Sequence, residues 1–186
     1  MQKVLYGGIT EIKIKMKMKI ILIILTGVLG LSLTSYELER KDVLNGELSM
    51  LIPKDFIHIS KENYIPEYDG APKPDDYYCN ADTTIEISFL KTPKHSNDLN
   101  WCKGFSKMAF LMLASKTYFN DTLTNNGIKM HLTEFESTFK GKKTYSKVFF
   151  INMENYTVIG NISCDIELKK QWIPYATKIF KSIKLN

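Results

Sequence analysis

Three strand-like segments follow one another in the C-terminal half of this 186-residue chain, and they limit the folds that it can adopt. The segments are residues 128–139, 144–153 and 156–164. The turn Lys140-Gly141-Lys142-Lys143 separates the first two, and Glu154 and Asn155 separate the last two. Strands joined by turns this short pair as antiparallel neighbours. The order predicts an antiparallel meander with these residues among its core: Met130, Leu132 and Phe135.

Other regions alternate polar and apolar residues in the same way. Residues 47–52 and 56–59, which a proline and a turn separate, predict an opening pair of strands. Residues 83–91 predict a half-buried strand that ends at Pro93. One side of this strand carries its apolar residues: Ile85, Ile87 and Phe89.

Two regions change to a helical period. Residues 97–116 place apolar side chains at steps of three and four: Leu99, Cys102, Phe105, Ala109, Met112 and Leu113. Residues 167–184 predict a second helix with an apolar face of Trp172, Ile179 and Ile183, in which Pro174 causes a kink or marks the start. Strands grouped in this way with helices predict an α+β fold, an antiparallel sheet with helices packed on it.

The first 35 residues have the organisation of a secretory signal. Lysines at positions 13, 15, 17 and 19 precede a fourteen-residue apolar run that small and hydroxylated residues close. The run is shorter than the about 20 residues that a membrane-spanning helix needs. We expect a signal peptide at residues 1–35, a linker at 36–45 and a single domain at 46–186, in a secreted or periplasmic protein. The alternative is an uncleaved leader, which would be the chain's one attachment to a membrane.

Charge argues against a nucleic-acid partner. The chain has 25 basic and 20 acidic residues, but residues 1–35 hold five of the lysines and one glutamate. The 20 basic and 19 acidic residues that are left nearly cancel. Proteins that bind nucleic acid carry a basic excess that neutralises phosphates. We therefore exclude nucleic acid as a partner of the domain.

A tyrosine- and proline-rich loop is expected at residues 64–78, where prolines and a glycine disfavour regular structure. Tyrosine offers a large contact area with a polar tip, so this loop is the candidate binding surface. Its candidate binding residues are Tyr64, Tyr68, Tyr77, Tyr78, Asp75 and Asp76. The aspartates do not have the spacing of a known calcium loop, so no metal site is predicted. Alternatively, the tyrosines only cover one end of the sheet.

The three cysteines, Cys79, Cys102 and Cys164, are disulfide candidates because an exported protein enters an oxidising compartment. An odd number leaves at least one unpaired within the chain. Their separations of 23 and 62 residues fit neither a zinc site nor a redox motif. We interpret Cys102 as a small buried apolar residue on a helix face.

Two short segments resemble the PsbP-like family. Residues 48–56 read LSMLIPKDF and residues 179–184 read IFKSIK, and between them they span nearly all of the expected domain. The chain departs from the family at Phe56, where many relatives have tryptophan. The resemblance implies an α/β/α sandwich and a role in binding more often than in catalysis, and the family includes many exported bacterial proteins of unknown role.

Catalytic and cofactor motifs do not stand out in the sequence. It has no Gly-x-Ser-x-Gly string for a nucleophilic serine, and its three histidines lack metal-ligand spacing. We expect no cofactor. The sequence favours an exported, non-enzymatic binding module whose partner is a protein or a small ligand. A small secreted hydrolase that uses two carboxylates stays open, because such a pair needs only proximity in space.

Overall fold

Two antiparallel sheets and two helices make up the part of the chain that the computed structural model describes, residues 35–66, 72–94, 99–112 and 114–186. The strands are β1 (Leu38–Val43), β2 (Leu48–Pro53), β3 (Ile57–Ser60), β4 (Asp76–Cys79), β5 (Ile85–Pro93), β6 (Ala114–Asn125), β7 (Ile128–Phe139), β8 (Lys142–Asn152), β9 (Tyr156–Asp165) and β10 (Lys184–Leu185). The helices are α1 (Asn100–Ser106) and α2 (Lys169–Lys181). The smaller sheet has the order β1-β2-β10, and the larger has the order β3-β4-β5-β9-β8-β7-β6.

The predicted meander is confirmed in β7, β8 and β9. Phe139 pairs with Lys142, so the β7–β8 hairpin turns on only two residues, Lys140 and Gly141. Both have positive φ, 47° and 82°, as a two-residue hairpin turn of this type requires. Glycine adopts this conformation without strain, which explains why it stands at the second position. Strand β5, with its alternating apolar residues, is also confirmed and pairs with β9.

The opening strands belong to different sheets, so their predicted pairing was wrong. Strand β2 pairs with β1 and β10, whereas β3 pairs with β4. The short turn between β2 and β3 carries the chain from the smaller sheet to the larger one. The expected linker at residues 36–45 was also wrong, because it contains β1, which lies in the same compact unit, Tyr36–Asn186, as the other strands. Residues 1–34 of the predicted signal peptide lie outside the described residues.

The first helix is shorter than predicted. Helix α1 gives way to a π-helical turn at Lys107–Leu111, and β6 follows from Ala114, inside the range expected to be helical. Met112, expected on the buried face, is 79% exposed. Strand β6 was not predicted because most of its side chains are polar and exposed. Its pairing with β7 contains two irregularities, between Ala114 and Lys116 and between Thr117 and Phe119.

The main core fills one face of the larger sheet and contains α2. Trp172 and Ile179, expected on one face of this helix, are buried there, and Ile183 is buried just beyond its end. Trp172 stacks on Phe56 of the β2–β3 turn with ring centroids 6.0 Å apart. Helix α2 begins five residues before Pro174, which therefore does not mark its start.

The opposite face of the larger sheet packs against α1. Its smaller apolar cluster consists of Leu99, Cys102, Phe135, Val148 and Phe150. Phe135 was expected beside Met130 and Leu132, but it points to the other face because odd and even residues of β7 alternate. One helix on each face of the sheet confirms the predicted α+β sandwich. Neither helix of the described residues is long and apolar enough to span a membrane.

Candidate ligand-binding cavity

A cavity of about 480 Å³ opens on the α1 face of the larger sheet. Strand residues of β5, β7, β8 and β9 line it together with residues of α1 and its π-helical turn, such as Phe105 and Phe110. Tyr64, Pro72 and Pro74, which precede β4 in the chain, line it as well. Small-molecule sites have volumes of about 300–1,000 Å³ and mostly apolar walls. This cavity has the size and lining of such a site.

The strand register gives the cavity an apolar side and a polar side. Three rows of cross-strand neighbours run over β5, β9 and β8: Leu90, Ile159 and Phe150; Ser88, Asn161 and Val148; Glu86, Ser163 and Ser146. The first row is apolar, the second is mixed and the third is polar. Of these nine residues, all but Phe150 and Ser163 line the cavity. A molecule that lies along the strands would therefore contact apolar side chains at one end and polar ones at the other.

Glu86 organises the polar side. The Tyr77 hydroxyl donates to its Oε2 at 2.8 Å, and the Ser163 hydroxyl donates to its Oε1 at 2.8 Å. The Asn161 amide donates to Glu86 Oε1 at 3.4 Å and to Ser163 Oγ at 3.2 Å. Burial, together with the neighbouring Glu86 carboxylate, raises the pKa of Tyr77, so its phenol keeps its proton at neutral pH.

One acceptor in this group lacks a partner. The Oδ1 atom of Asn161 is buried and accepts no hydrogen bond from the described residues. Because Asn161 Nδ2 donates to Glu86 and Ser163, the orientation of the amide is fixed and Oδ1 is the atom left over. A buried acceptor without a donor costs about 1–3 kcal/mol. A ligand that donates to this atom would recover that free energy.

The sheet divides the candidate binding residues between its two faces. Tyr64 and Tyr77 both line the cavity, and their ring centroids are 5.0 Å apart. Tyr77 and Tyr78 lie in β4, not in the loop expected at residues 64–78, and both are buried. Because neighbouring residues of a strand point to opposite faces, Tyr78 lies in the main core. Tyr68 lies outside the described residues.

Tyr78 and the two aspartates make contacts that hold the fold together. Tyr78 stacks on the His58 ring at 4.7 Å, and burial raises its pKa to about 12. Asp76 accepts from the backbone N–H of Leu44 and contacts His58 Nε2 at 2.9 Å. Asp75 accepts from the backbone N–H of Lys91 at 2.6 Å and from Lys61 at 2.7 Å. These three side chains therefore do not line the cavity.

Sequence reasoning missed three polar residues that line the cavity, Glu86, Ser88 and Asn161, and also Ser163, which donates to Glu86. They alternate with the buried apolar residues of β5 and β9, and no role was predicted for them. The signal was present in the sequence. The sequence does not show the strand register, which brings Glu86 opposite Ser163, 77 residues further along the chain.

The cysteines do not form the disulfide that was considered. Cys79 and Cys164 have free, buried thiols, and their strand neighbours Glu86 and Ile85 place them on opposite faces of the sheet. Burial raises the pKa of Cys164 to about 12 and also raises the pKa of Cys79, so both thiols are poor nucleophiles. Cys102 is buried in the α1 cluster, which confirms its interpretation as a small apolar residue.

Comparison with known proteins establishes the fold. No family model and no curated protein matches the sequence. Among solved structures, the chain resembles the solution structure of the cyanobacterial PsbP protein CyanoP from Synechocystis sp. PCC 6803. The match has a TM-score of 0.55 at 11% identity and covers 84% of this chain and 96% of CyanoP.

Two further solved structures are similar to this chain. The Ran-binding protein Mog1p of Saccharomyces cerevisiae matches with a TM-score of 0.50 at 13% identity, over 81% of this chain and 96% of Mog1p. LpqN of Mycobacterium tuberculosis, described as involved in cell envelope biogenesis, matches with a TM-score of 0.50 at 12% identity, over 82% of this chain and 92% of LpqN. The chain therefore has the PsbP-like fold.

Proposed function

We propose that this chain is an exported, non-enzymatic binding module that holds a small, largely apolar molecule in the cavity between α1 and the larger sheet. The observation that carries the proposal is the cavity itself, about 480 Å³ in volume, with apolar walls and one organised polar side. Of the residues predicted to bind, Tyr64 and Tyr77 line the cavity, and we keep these two as candidate binding residues. Tyr78, Asp75 and Asp76 are not part of the proposed site.

The cavity lining favours binding over catalysis. Among the described residues that line it, Glu86 is the one carboxylate, and both of its oxygens accept hydrogen bonds from neighbouring side chains. The hydrolase alternative needs a second carboxylate beside the first. Mog1p is described as Ran-binding and LpqN as involved in envelope biogenesis, which supports a binding role on this fold.

Export rests on the lysine-flanked apolar run in residues 1–35. The test is to sequence the N-terminus of the protein recovered from the envelope and from the medium of expressing cells. A chain that begins between positions 33 and 38 supports export with cleavage. An intact leader in the membrane fraction would contradict the cleavage and indicate a tethered domain.

Binding in the cavity is tested with N-phenyl-1-naphthylamine, an uncharged apolar dye whose fluorescence rises in apolar sites. Ser88 lies in the middle row of the cavity lining, so the variant Ser88→Phe fills the space that a ligand would occupy. We expect it to weaken dye binding about tenfold or more, which corresponds to about 1.4 kcal/mol. The matched control is Ser115→Phe on the exposed strand β6, which we expect to bind as the unchanged protein does.

Folding of both variants is checked by far-ultraviolet circular dichroism and thermal unfolding. A folded Ser88→Phe variant that binds the dye as tightly as the control would overturn the assignment of the cavity. A protein that binds no dye at all would overturn the function as well.

A further inference from the structure

The hydrogen bonds around Glu86 determine which polar groups the cavity accepts, and this inference rests on the proposed function. The donors next to Glu86 are already used. The protons of Tyr77 and Ser163 and both amide protons of Asn161 point to Glu86 or to one another. What these residues offer a ligand are lone pairs: the buried Asn161 Oδ1, the Tyr77 hydroxyl oxygen and the Glu86 carboxylate.

The charge of the cavity lining also favours a ligand whose polar end is not anionic. Glu86 lines the cavity, and none of the described lining residues is a lysine or arginine. An anionic group would face the carboxylate without a compensating cation, whereas an ammonium group would be attracted to it. Lys140 and Lys142 line a neighbouring cavity of about 250 Å³, which Glu86 also lines, and there Lys142 is 3.0 Å from Asp165.

From these observations we infer that the cavity binds single-chain amphiphiles whose polar end donates hydrogen bonds and is not anionic, that is, an alcohol or an ammonium group on an apolar chain. The apolar chain lies along Leu90, Ile159 and Val148, and the polar end lies beside Asn161 and Glu86. Asn161 is the specificity-determining residue for the donor, and Glu86 is the residue that rejects anions.

The inference is tested by calorimetric titration of the exported protein with decylamine, 1-decanol and decanoate at neutral pH, below the solubility limit of 1-decanol and below the concentrations at which the other two form micelles. The three probes have the same apolar chain length and differ in the polar end. We expect decylamine to bind most tightly, 1-decanol next, and decanoate about tenfold or more weaker than 1-decanol. Decanoate that binds as tightly as 1-decanol would overturn the inference.

Two variants assign the selectivity to residues. Glu86→Gln removes the negative charge and keeps one acceptor, so we expect decylamine to lose its advantage over 1-decanol. Asn161→Val removes the buried acceptor, so we expect weaker binding of 1-decanol. The exposed Glu37→Gln serves as the charge-matched control, because its carboxylate lies 3.7 Å from Lys54 and does not line the cavity.

The outcomes separate this inference from the function on which it rests. If N-phenyl-1-naphthylamine binds but the three probes show no preference, the cavity binds apolar molecules and the inferred selectivity is wrong. If neither the dye nor any probe binds, the proposed function itself is wrong. The ranking of the probes by the unchanged protein needs no variant, so it decides the question even where Glu86→Gln fails to fold.

Discussion

The two faces of the larger sheet differ in how completely they are filled. On the α2 face, Trp172 and Phe149 are almost fully buried in one continuous core. On the α1 face, a helix of seven residues and a π-helical turn cover the sheet less completely and leave the cavity. Met108, in that turn, is 68% exposed. We therefore expect the α2 face to supply most of the stability, whereas the α1 face retains open space beside the sheet.

The choice of small residues shows the same contrast. Gly160 of β9 lies beneath the Phe149 ring so closely that a Cβ atom there would come within 2.0 Å of the ring. Glycine on the α2 face therefore permits tight packing. On the α1 face, the small residues Ser88 and Ser146 border open space.

The sharpest test of this contrast is to truncate one large side chain on each face. Trp172→Ala should lower the free energy of unfolding by about 3–5 kcal/mol, because it leaves a cavity in a filled core. Phe105→Ala on the α1 face should lower it by about 1–2 kcal/mol, because Phe105 is only half-buried. Urea unfolding measures both. Equal losses would show that the α1 face stabilises the fold as much as the α2 face does.

Breaking a buried ion pair should have the next largest effect on the free energy of unfolding. Lys147, whose side chain is 8% exposed, donates to Glu134, which also accepts from the Tyr145 hydroxyl at 2.5 Å. Glu134→Gln leaves the lysine charge buried without its anion and should lower the free energy of unfolding by about 2–4 kcal/mol. The control is Asp165→Asn, which breaks the more exposed pair with Lys142 and should cost less than about 1 kcal/mol. Chemical denaturation distinguishes the two; similar losses would mean that burial does not matter here.

Adding one methyl group should change the free energy of unfolding in opposite directions on the two faces. Gly160→Ala should lower the free energy of unfolding by about 1–3 kcal/mol, because the Phe149 ring has no space to move away. Gly104→Ala in α1 should raise it by about 0.5–1 kcal/mol, because alanine favours the helix and its Cβ meets no atom within 4 Å. Thermal and urea unfolding check the signs. A stabilising Gly160→Ala would contradict the tight packing of the α2 face.

The smallest expected effect is a pH dependence of stability that arises on the α1 face. Burial, and secondarily Lys103, lowers the pKa of His131, while Asp121 opposes this shift. His131 Nε2 lies 2.9 Å from Asn120 Oδ1, and its buried Nδ1 has no hydrogen-bond partner among the described residues. The unfolded chain therefore binds a proton more readily than the folded one, and stability should fall as the pH drops below about 6.5 towards the lowered folded pKa.

His131→Gln should remove this part of the pH dependence. The measurement is the urea midpoint between pH 7.5 and pH 5 for the unchanged protein and the variant. The unchanged protein should lose more stability than the variant over this interval. Identical profiles would show that His131 titrates alike in the folded and unfolded states.

Strands that carry their own apolar face could be predicted from the sequence. Ile85, Ile87 and Phe89 are all buried, as the alternation in β5 predicted. Strands β1 and β6 could not be predicted, because they are rich in charged or polar residues and depend on hydrogen bonding to β2 and β7.

The site was only half predictable for a related reason. Tyr77 and Tyr78 are neighbours in sequence, but the pleat of β4 sends one to the cavity and the other to the core. Glu86 meets Asn161 and Ser163 only through the pairing of β5 with β9. Neither the strand assignment of β4 nor this long-range register can be read from local composition.

The outer strands of the larger sheet have a consequence for how neighbouring molecules meet in concentrated solution. An unprotected edge strand offers free N–H and C=O groups to a second chain and promotes aggregation. Here one edge, β3, has only four residues, and the other, β6, is interrupted twice in its pairing with β7. Such irregularities twist a strand and weaken its pairing with a second strand. Both features disfavour the pairing of this sheet with a strand of an adjacent molecule.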